Sequence, residues 1–178
     1  MKILVIGSGG REHAIVRALN RDPSVTEIHC APGNPGTAVM AENHSISVNT
    51  TEELVALAIR LTVDLVVIGP EVPLLNVLVD ELQKKSLPCF GPVRAVALIE
   101  GSKEFAKMIM QSAGVATARY ESCSSREEIR RACEIFGPPY VVKHDGLASG
   151  KGVIVTEDLE EATSRVQSAV DSFHSSLI

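Results

Sequence analysis

The alternation of short apolar runs with glycine-rich turns is the feature that most constrains the fold of this 178-residue chain. The run from Ile3 to Ile6 breaks into Gly7-Ser8-Gly9-Gly10, and a helical pattern follows immediately. Residues 63–68 form another, largely apolar run, which ends at Gly69-Pro70. Such runs are typical of parallel strands that are buried on both faces. The first ninety residues are therefore predicted to form an open parallel sheet with helices on both sides.

Strand and helix patterns alternate up to about residue 92 and then change in character. The predicted strands of the first part are residues 2–6, 25–31, 63–68 and 88–90, and its predicted helices are residues 11–20, 51–61 and 73–85. In the second part, the predicted helices are residues 93–99, 102–113, 125–136 and 158–171, and the extended segments are residues 115–120, 140–143 and 153–156. The change predicts a second structural part after the parallel sheet.

Composition argues against several classes of partner. The net charge is −5 and the chain has no Trp, so neither nucleic acid nor an anionic membrane is expected to bind. No long apolar run is present, and the stretch before Gly7 is too short for a signal peptide, so a cytoplasmic location is expected. The four cysteines form no C-x-x-C pair and the five histidines show no metal-ligand spacing. We therefore expect reduced thiols and no metal site within this chain.

The first glycine turn predicts an anion site, because a strand that enters a helix through glycines presents backbone N–H groups at the positive helix end. The dinucleotide fingerprint G-x-G-x-x-G is incomplete, since Glu12 occupies the third glycine position. The second strand also ends in His29-Cys30-Ala31, without the acidic residue that binds a ribose hydroxyl. These departures favour a single phosphate beside Arg11. A nicotinamide-dependent oxidoreductase and a tight turn with a salt-bridged helix start stay open as alternatives.

Two further turns follow strands and should therefore lie at the same edge of the sheet. They are Pro32-Gly33-Asn34-Pro35-Gly36-Thr37 and Gly69-Pro70-Glu71. Together with the first turn they would form a polar pocket that contains a basic group, an amide and a carboxylate. Such a pocket suits a small phosphorylated sugar that bears an amine, although each turn taken alone is more often an ordinary loop.

A glycine-rich segment, Asp145-Gly146-Leu147-Ala148-Ser149-Gly150-Lys151-Gly152, joins two predicted strands in the second part of the chain. It is not a P-loop, because the required Ser or Thr is absent and a strand, not a helix, follows. A hairpin that carries Lys151, next to Lys143 on the preceding strand, is able to fold over a triphosphate. The alternative is a flexible surface hairpin with solvated lysines.

Six motifs occur in one order along the chain: GSGGREHA (7–14), PGNPGT (32–37), GPEVPL (69–74), FGP (90–92), EGSKEFAK (100–107) and VVKHDGLASGKGV (141–153). In these motifs the chain resembles the glycinamide ribonucleotide synthetase family, or phosphoribosylamine–glycine ligases, of the ATP-grasp superfamily. The resemblance extends to about residue 170. It implies an α/β fold with an N-terminal Rossmann-like open parallel sheet, followed by the start of an ATP-grasp unit with its small α+β lid domain. The implied domains are residues 1–92, a helical connection at 93–116 and a partial lid at 117–178.

The resemblance also implies a reaction and its site residues. In the family, ATP phosphorylates glycine, and the amine of phosphoribosylamine attacks the acyl phosphate to give glycinamide ribonucleotide, ADP and phosphate in purine biosynthesis, with magnesium required. The residues that match the family's phosphosugar site are Gly9, Gly10, Arg11, Glu12, Asn34, Gly36 and Glu71. The residues that match its ATP site are Lys103, Lys143, Gly150, Lys151 and Gly152, of which Lys143 and Lys151 are expected to act in catalysis.

The chain departs from the family pattern in two respects. His144 replaces a small residue between Lys143 and Asp145, which is most simply a packed or solvated histidine but could alter the lid near the phosphates. Family chains are more than twice as long, and their adenine-binding linker, most glycine contacts and magnesium carboxylates lie beyond the position of residue 178. We therefore expect an N-terminal part that does not catalyse the complete ligation alone. A non-catalytic phosphosugar- or ATP-binding module and an ATP-grasp ligase of another carboxylate are the alternatives.

Overall fold

The chain divides into two compact units, Met1–Ala97 and Leu98–Ile178. The computed structural model describes residues 1–147, 152–170 and 176–177. A five-stranded parallel sheet lies at the centre of the first unit, and a four-stranded sheet with antiparallel pairing lies in the second. This architecture confirms the predicted α/β class with a smaller α+β part. None of the described helices has the length and apolar character needed to cross a membrane.

The sheet of the first unit has the strand order β3-β2-β1-β4-β5 and is parallel throughout. Its strands are β1 (Lys2–Gly7), β2 (Glu27–Pro32), β3 (Glu42–Asn43), β4 (Leu65–Ile68) and β5 (Cys89–Phe90). In the centre of the sheet, Ile6 pairs with Ala31 on one side and with Ile68 on the other. The three central strands therefore end in register, and the turns that follow them begin at one edge of the sheet.

Both faces of this sheet are covered, because alternate residues of β1 enter two different cores. The helices of the unit are α1 (Gly10–Leu19), α2 (Thr51–Leu61), α3 (Glu71–Leu75) and α4 (Leu78–Lys84), and α5 (Arg94–Gly101) crosses the boundary between the units. Ile3 and Val5 pack with Val16 of α1. Leu4 and Ile6 pack on the opposite side against residues of α2 and α4. The apolar run of β1 is thus explained by burial on both faces.

The single helix predicted for residues 73–85 is wrong, because the chain forms α3 and α4 with a break at Val77. Val77 has φ 59° and ψ 20°, a left-handed conformation that costs about 1–2 kcal/mol for a residue with a Cβ. At the break, the carbonyl of Asn76 accepts a hydrogen bond of 2.8 Å from the hydroxyl of the buried Thr51 on α2. A tertiary contact from a preceding helix therefore accompanies the interruption of the local helical pattern. The short strand β3 was also not predicted.

The second unit combines helices with a small sheet of strand order β6-β9-β7-β8. Its remaining elements are α6 (Lys103–Ser112), β6 (Ser122–Cys123), α7 (Arg126–Phe136), β7 (Tyr140–His144), β8 (Val153–Thr156), α8 (Leu159–Val170) and β9 (Ser176–Leu177). Ile129 and Cys133 of α7 pack with Val142 of β7 and Ala162 of α8 in one apolar core. β7 and β8 pair antiparallel, and the segment predicted to bind a triphosphate lies between them in the sequence.

Candidate functional site

The glycine turn after β1 is built around a buried carboxylate. Gly9 precedes the first residue of α1, and its N–H donates a 2.6 Å hydrogen bond to Oε2 of Glu12. Glu12 is only 4% exposed. A Cβ at Gly7 would lie 2.6 Å from its Cγ, and a Cβ at Gly69 would lie at the same distance. Glu12 stands at the third glycine position of the dinucleotide fingerprint, and its side chain fills the space that Gly7 and Gly69 leave open.

Arg11 connects the turn after β1 to the turn after β4. One terminal nitrogen of its guanidinium donates to the carbonyl of Gly69, and Nη2 lies 3.3 Å from Oε1 of Glu71. The Arg11 side chain is 59% exposed, so it is accessible from solvent despite these contacts. Two separate motifs thus meet at the sheet edge, one with Arg11 and Glu12 and the other with Glu71. The salt-bridged helix start, one of the two alternatives for this turn, is part of this arrangement.

Asn34 joins the turn after β2 to the turn after β1. Its Nδ2 donates 2.9 Å to the carbonyl of Ser8, and its Oδ1 accepts from the N–H groups of Gly36 and Thr37 at 2.8 and 3.0 Å. The amide of Asn34 is therefore largely engaged with backbone groups. A Cβ at Gly36 would lie 2.7 Å from Nδ1 of His13, so this histidine of α1 covers the turn. The GREH motif places His13 near the site, but its packing depends on the tertiary arrangement.

The structure brings Lys103 and the start of the loop after β7 together within the second unit. Asp145 accepts hydrogen bonds from Ser102 Oγ at 2.9 Å and from the N–H of Lys103, at the first turn of α6. Nζ of Lys103 donates 2.8 Å to the carbonyl of Gly146. Asp145, which is not among the predicted site residues, thus joins the loop after β7 to the start of α6. The adjacency of an aspartate to the glycine-rich loop was the available signal.

Lys143 precedes the glycine-rich segment, and Gly152 ends it directly before β8. Lys143 lies on β7, exposed, and pairs in register with Val153. The N–H of His144 donates 2.8 Å to the carbonyl of Gly152, which closes the base of the loop. His144 is half-buried beside this closure. The predicted residues Gly150 and Lys151 lie outside the described residues.

A further cluster at the β2–β3 edge unites two histidines that are fifteen positions apart. His29 Nδ1 lies 3.1 Å from His44 Nε2 and 3.6 Å from Glu42 Oε2. Burial lowers the pKa of His44, and the nearby Glu42 carboxylate opposes this shift. Linear spacing gave no indication of this cluster, because it depends on the pairing of β2 with the two-residue strand β3.

All four cysteines are free, as expected. Cys30, Cys123 and Cys133 are buried, and Cys89 is half-buried. Burial raises the pKa of Cys30. Burial and the nearby carboxylates of Glu121 and Glu128 raise the pKa of Cys123 to about 11. These thiols are therefore poor nucleophiles at neutral pH.

The class of protein is ATP-grasp, because the model of an ATP-grasp domain matches residues 101–176. Solved structures of more distant proteins share the fold. Over 99% of its length, the chain matches the biotin carboxylase domain of the Hydrogenobacter thermophilus 2-oxoglutarate carboxylase, with a TM-score of 0.80 and 22% identity over 43% of that chain. It matches an N5-carboxyaminoimidazole ribonucleotide synthetase with a TM-score of 0.78 and 18% identity, over 99% of this chain and 46% of that chain. At these identities the likeness concerns the fold alone.

The family follows from two models of consecutive domains. The N domain of phosphoribosylglycinamide synthetase matches residues 1–100, and the ATP-grasp (A) domain of the same synthetase matches residues 101–176. The chain therefore belongs to the phosphoribosylglycinamide synthetase family, which confirms the resemblance seen in its motifs.

Relatives of this family cover nearly the whole chain. A phosphoribosylamine–glycine ligase of Streptomyces coelicolor is 52% identical over 162 residues, which are 91% of this chain and 39% of the relative. One from Mycobacterium leprae is 45% identical over 100% of this chain and 43% of the relative. The crystal structure of the Thermotoga maritima ligase matches with a TM-score of 0.78 and 33% identity, over 99% of this chain and 42% of that chain. The chain thus spans about two fifths of the length of these relatives.

Proposed function

We propose that the chain supplies the phosphoribosylamine site and part of the ATP site of a ligase that joins glycine to phosphoribosylamine. The products are glycinamide ribonucleotide, ADP and phosphate, formed through a glycyl phosphate in purine biosynthesis. The observation that carries the proposal is the meeting of Arg11, Glu71 and the Asn34 turn at one sheet edge, in a chain of this family. Glycine and phosphoribosylamine are the proposed small-molecule partners, and a cytoplasmic location belongs to the same proposal.

The phosphate of the sugar binds at the start of α1 in this proposal. The first N–H groups of a helix have no partner within the helix and carry its positive end. Arg11 adds a guanidinium with five N–H donors, and its contacts with Gly69 and Glu71 leave further donors for phosphate oxygens. Glu12 acts as a positioning residue, because its carboxylate holds the N–H of Gly9 beneath the turn. Gly9, Gly10 and Gly36 allow the ligand to approach the backbone closely.

The triphosphate binds beside the hairpin of β7 and β8 in this proposal. Lys143 supplies positive charge from β7, and Gly150, Lys151 and Gly152 belong to the loop that covers the phosphates. Lys103 holds the carbonyl of Gly146 and so positions the beginning of that loop. Phosphoryl transfer between two anions depends mainly on charge neutralisation and positioning, which lysines and backbone N–H groups provide.

The described residues do not fit the magnesium that the family requires. Within the described ranges, the group of side chains that could hold a metal ion is His29, Glu42 and His44. Magnesium prefers oxygen ligands and octahedral geometry, which two imidazoles do not supply. These three residues are therefore not proposed to hold the magnesium of the ligation reaction.

The proposal is tested by separate calorimetric titrations with ribose 5-phosphate and ATP. Ribose 5-phosphate replaces the labile phosphoribosylamine, and ribose without phosphate is the ligand control. We expect Arg11→Gln to weaken ribose 5-phosphate binding about tenfold or more, because a charge-assisted contact is lost. The same substitution should leave ATP binding unchanged. Lys143→Gln should weaken ATP binding and leave ribose 5-phosphate binding unchanged. Arg60 is an exposed arginine on α2, and Arg60→Gln should change neither affinity.

Two results would contradict the proposal. Equal affinity of the chain for ribose and ribose 5-phosphate would exclude a phosphate site at the start of α1. Saturable binding of a nicotinamide dinucleotide that Arg11→Gln abolishes would instead support the oxidoreductase alternative.

A further inference from the structure

An imidazole-rich cluster lies at the outer edge of the parallel sheet, apart from the three turns. His29 of β2 pairs in register with Glu42 of β3. His44 follows β3 directly, and its N–H donates 2.8 Å to the carbonyl of Cys30. The pairing of β2 with β3, extended by the hydrogen bond of His44, therefore fixes the relative positions of the three residues.

The spacing of the three side chains matches the coordination of one ion. In a tetrahedral zinc site with bonds of about 2.0–2.1 Å, two ligand nitrogens lie about 3.3 Å apart. His29 Nδ1 lies 3.1 Å from His44 Nε2 and 3.6 Å from Glu42 Oε2, and all three ligand atoms lie within 4.8 Å of one another. We propose that His29, Glu42 and His44 form a binding site for a divalent transition metal such as Zn²⁺, with the remaining coordination position open to solvent.

The surroundings of His29 supply an independent observation. His29 is 6% exposed, and its Nε2 has no hydrogen-bond partner in the part of the chain that the structure describes. The carboxylate of Glu27 lies 3.6 Å from this Nε2. Metal-binding histidines commonly direct their second ring nitrogen to a carboxylate, which fixes the tautomer. In the proposed site, Glu27 would act as the positioning residue: its carboxylate faces Nε2 and would favour the tautomer that directs the lone pair of Nδ1 toward the ion.

The ligand set selects the chemical class of the ion. Two imidazoles and one carboxylate suit zinc and similar transition metals, whereas magnesium and calcium prefer oxygen ligands. Cys30 is adjacent to His29 in sequence, but successive strand residues face opposite sides of a sheet, and Cys30 packs in the apolar core with Ile3 and Val5. The site is thus a nitrogen and oxygen site without thiolate.

Two of the three proposed ligands are accessible to solvent, so an ion can reach the site and these residues can be substituted without disturbing the core. Glu42 has a side chain that is 69% exposed, and His44 is half-buried. Their substitution should therefore leave the apolar cores intact, whereas substitution of the buried His29 endangers folding. Glu42→Gln and His44→Gln are the informative variants, and circular dichroism verifies that each is folded.

The test is a titration of the metal-free 178-residue chain with Zn²⁺ and, separately, with Co²⁺. We expect one equivalent of Zn²⁺ to bind, and Co²⁺ to give the visible absorption of a four- or five-coordinate ion without a thiolate charge-transfer band. Glu27→Gln should weaken binding about 10- to 100-fold, as removal of an outer carboxylate does elsewhere. Glu42→Gln and His44→Gln should weaken it at least as much. Glu53→Gln, an exposed carboxylate on α2, is the matched control and should bind like the unaltered chain.

Thermal unfolding provides a second measurement. Zn²⁺ should raise the Tm of the unaltered chain and of Glu53→Gln, but not that of His44→Gln, because binding stabilises only a chain that retains the site. Absence of stoichiometric binding would overturn the proposal. Undiminished affinity in both Glu42→Gln and His44→Gln would also overturn it, as would a thiolate charge-transfer band.

Discussion

The effects of substitutions at Glu12 and Gly69 on the free energy of unfolding should be coupled. In Gly69→Ala, the new methyl group would lie 2.6 Å from Cγ and Cδ of Glu12, whereas ordinary contacts of a Cβ begin at about 3.4 Å. Glu12 is buried and its Oε2 is held by the N–H of Gly9, so it cannot move aside without losing this hydrogen bond. Gly69 has no positive φ, so the substitution adds no backbone strain.

The cost of Gly69→Ala follows from these contacts. Overpacking of a buried site costs about 1–3 kcal/mol, and loss of a charge-assisted hydrogen bond costs about 1.5–3 kcal/mol. Because movement of Glu12 relieves part of the clash, we expect destabilisation of about 2–4 kcal/mol. Glu12→Ala removes the obstacle, so the double variant should be about as stable as Glu12→Ala alone. The coupling free energy between the two positions is then about 2 kcal/mol or more.

Hydrogen exchange is the suitable assay, because Tyr120 and Tyr140 both lie in the second unit and the chain has no Trp. Exchange of peptides from β1 and β4, measured by mass spectrometry, gives the free energy of opening of the first unit. Gly10→Ala is the control, since nothing lies within 4 Å of a Cβ at that position, and it should not be destabilising. Additive effects of Glu12→Ala and Gly69→Ala, within about 0.5 kcal/mol, would refute the reasoning.

Two further predictions concern the second unit. Asp145→Asn should destabilise the second unit by about 1–2 kcal/mol, because a neutral amide replaces the carboxylate that accepts hydrogen bonds from Ser102 and Lys103 at the start of α6. Tyrosine fluorescence during urea unfolding measures the change. An unchanged midpoint would contradict this role. Burial is the main reason that the pKa of Cys123 is raised to about 11, so the alkylation rate of this thiol should still rise between pH 9 and 11. Mass spectrometry of the labelled peptide measures that rate. A plateau at pH 9 would contradict the shift.

The parallel sheet could be predicted from sequence because its strands have local patterns, and the meeting of its three turns could be predicted because turns that follow parallel strands share one edge. A strand such as β1 is apolar throughout when both faces are buried, and its glycine turn marks the carboxyl end. The order of strands then determines which turns are neighbours.

The features that sequence analysis missed depend on contacts between distant segments. The break at Val77 coincides with a hydrogen bond from Thr51 on another helix, so local helix propensity does not indicate it. The cluster of His29 and His44 requires the pairing of a strand of only two residues, which has no readable periodicity. Asp145 could have been selected from its motif, but its role depends on the packing of α6 against the loop.

The turn of residues 32–37 carries its own internal support, with consequences for the entropy of binding. Oδ1 of Asn34 accepts from two backbone N–H groups of the turn, and Asn43 of β3 donates 2.9 Å to the carbonyl of Asn34. Thr37 is fully buried, and its hydroxyl donates 2.9 Å to Oδ1 of Asn43. The conformational entropy of this turn is therefore lost when the domain folds, and not when a ligand arrives. A molecule that binds there meets a surface already in its final shape, and more of the interaction free energy appears as affinity.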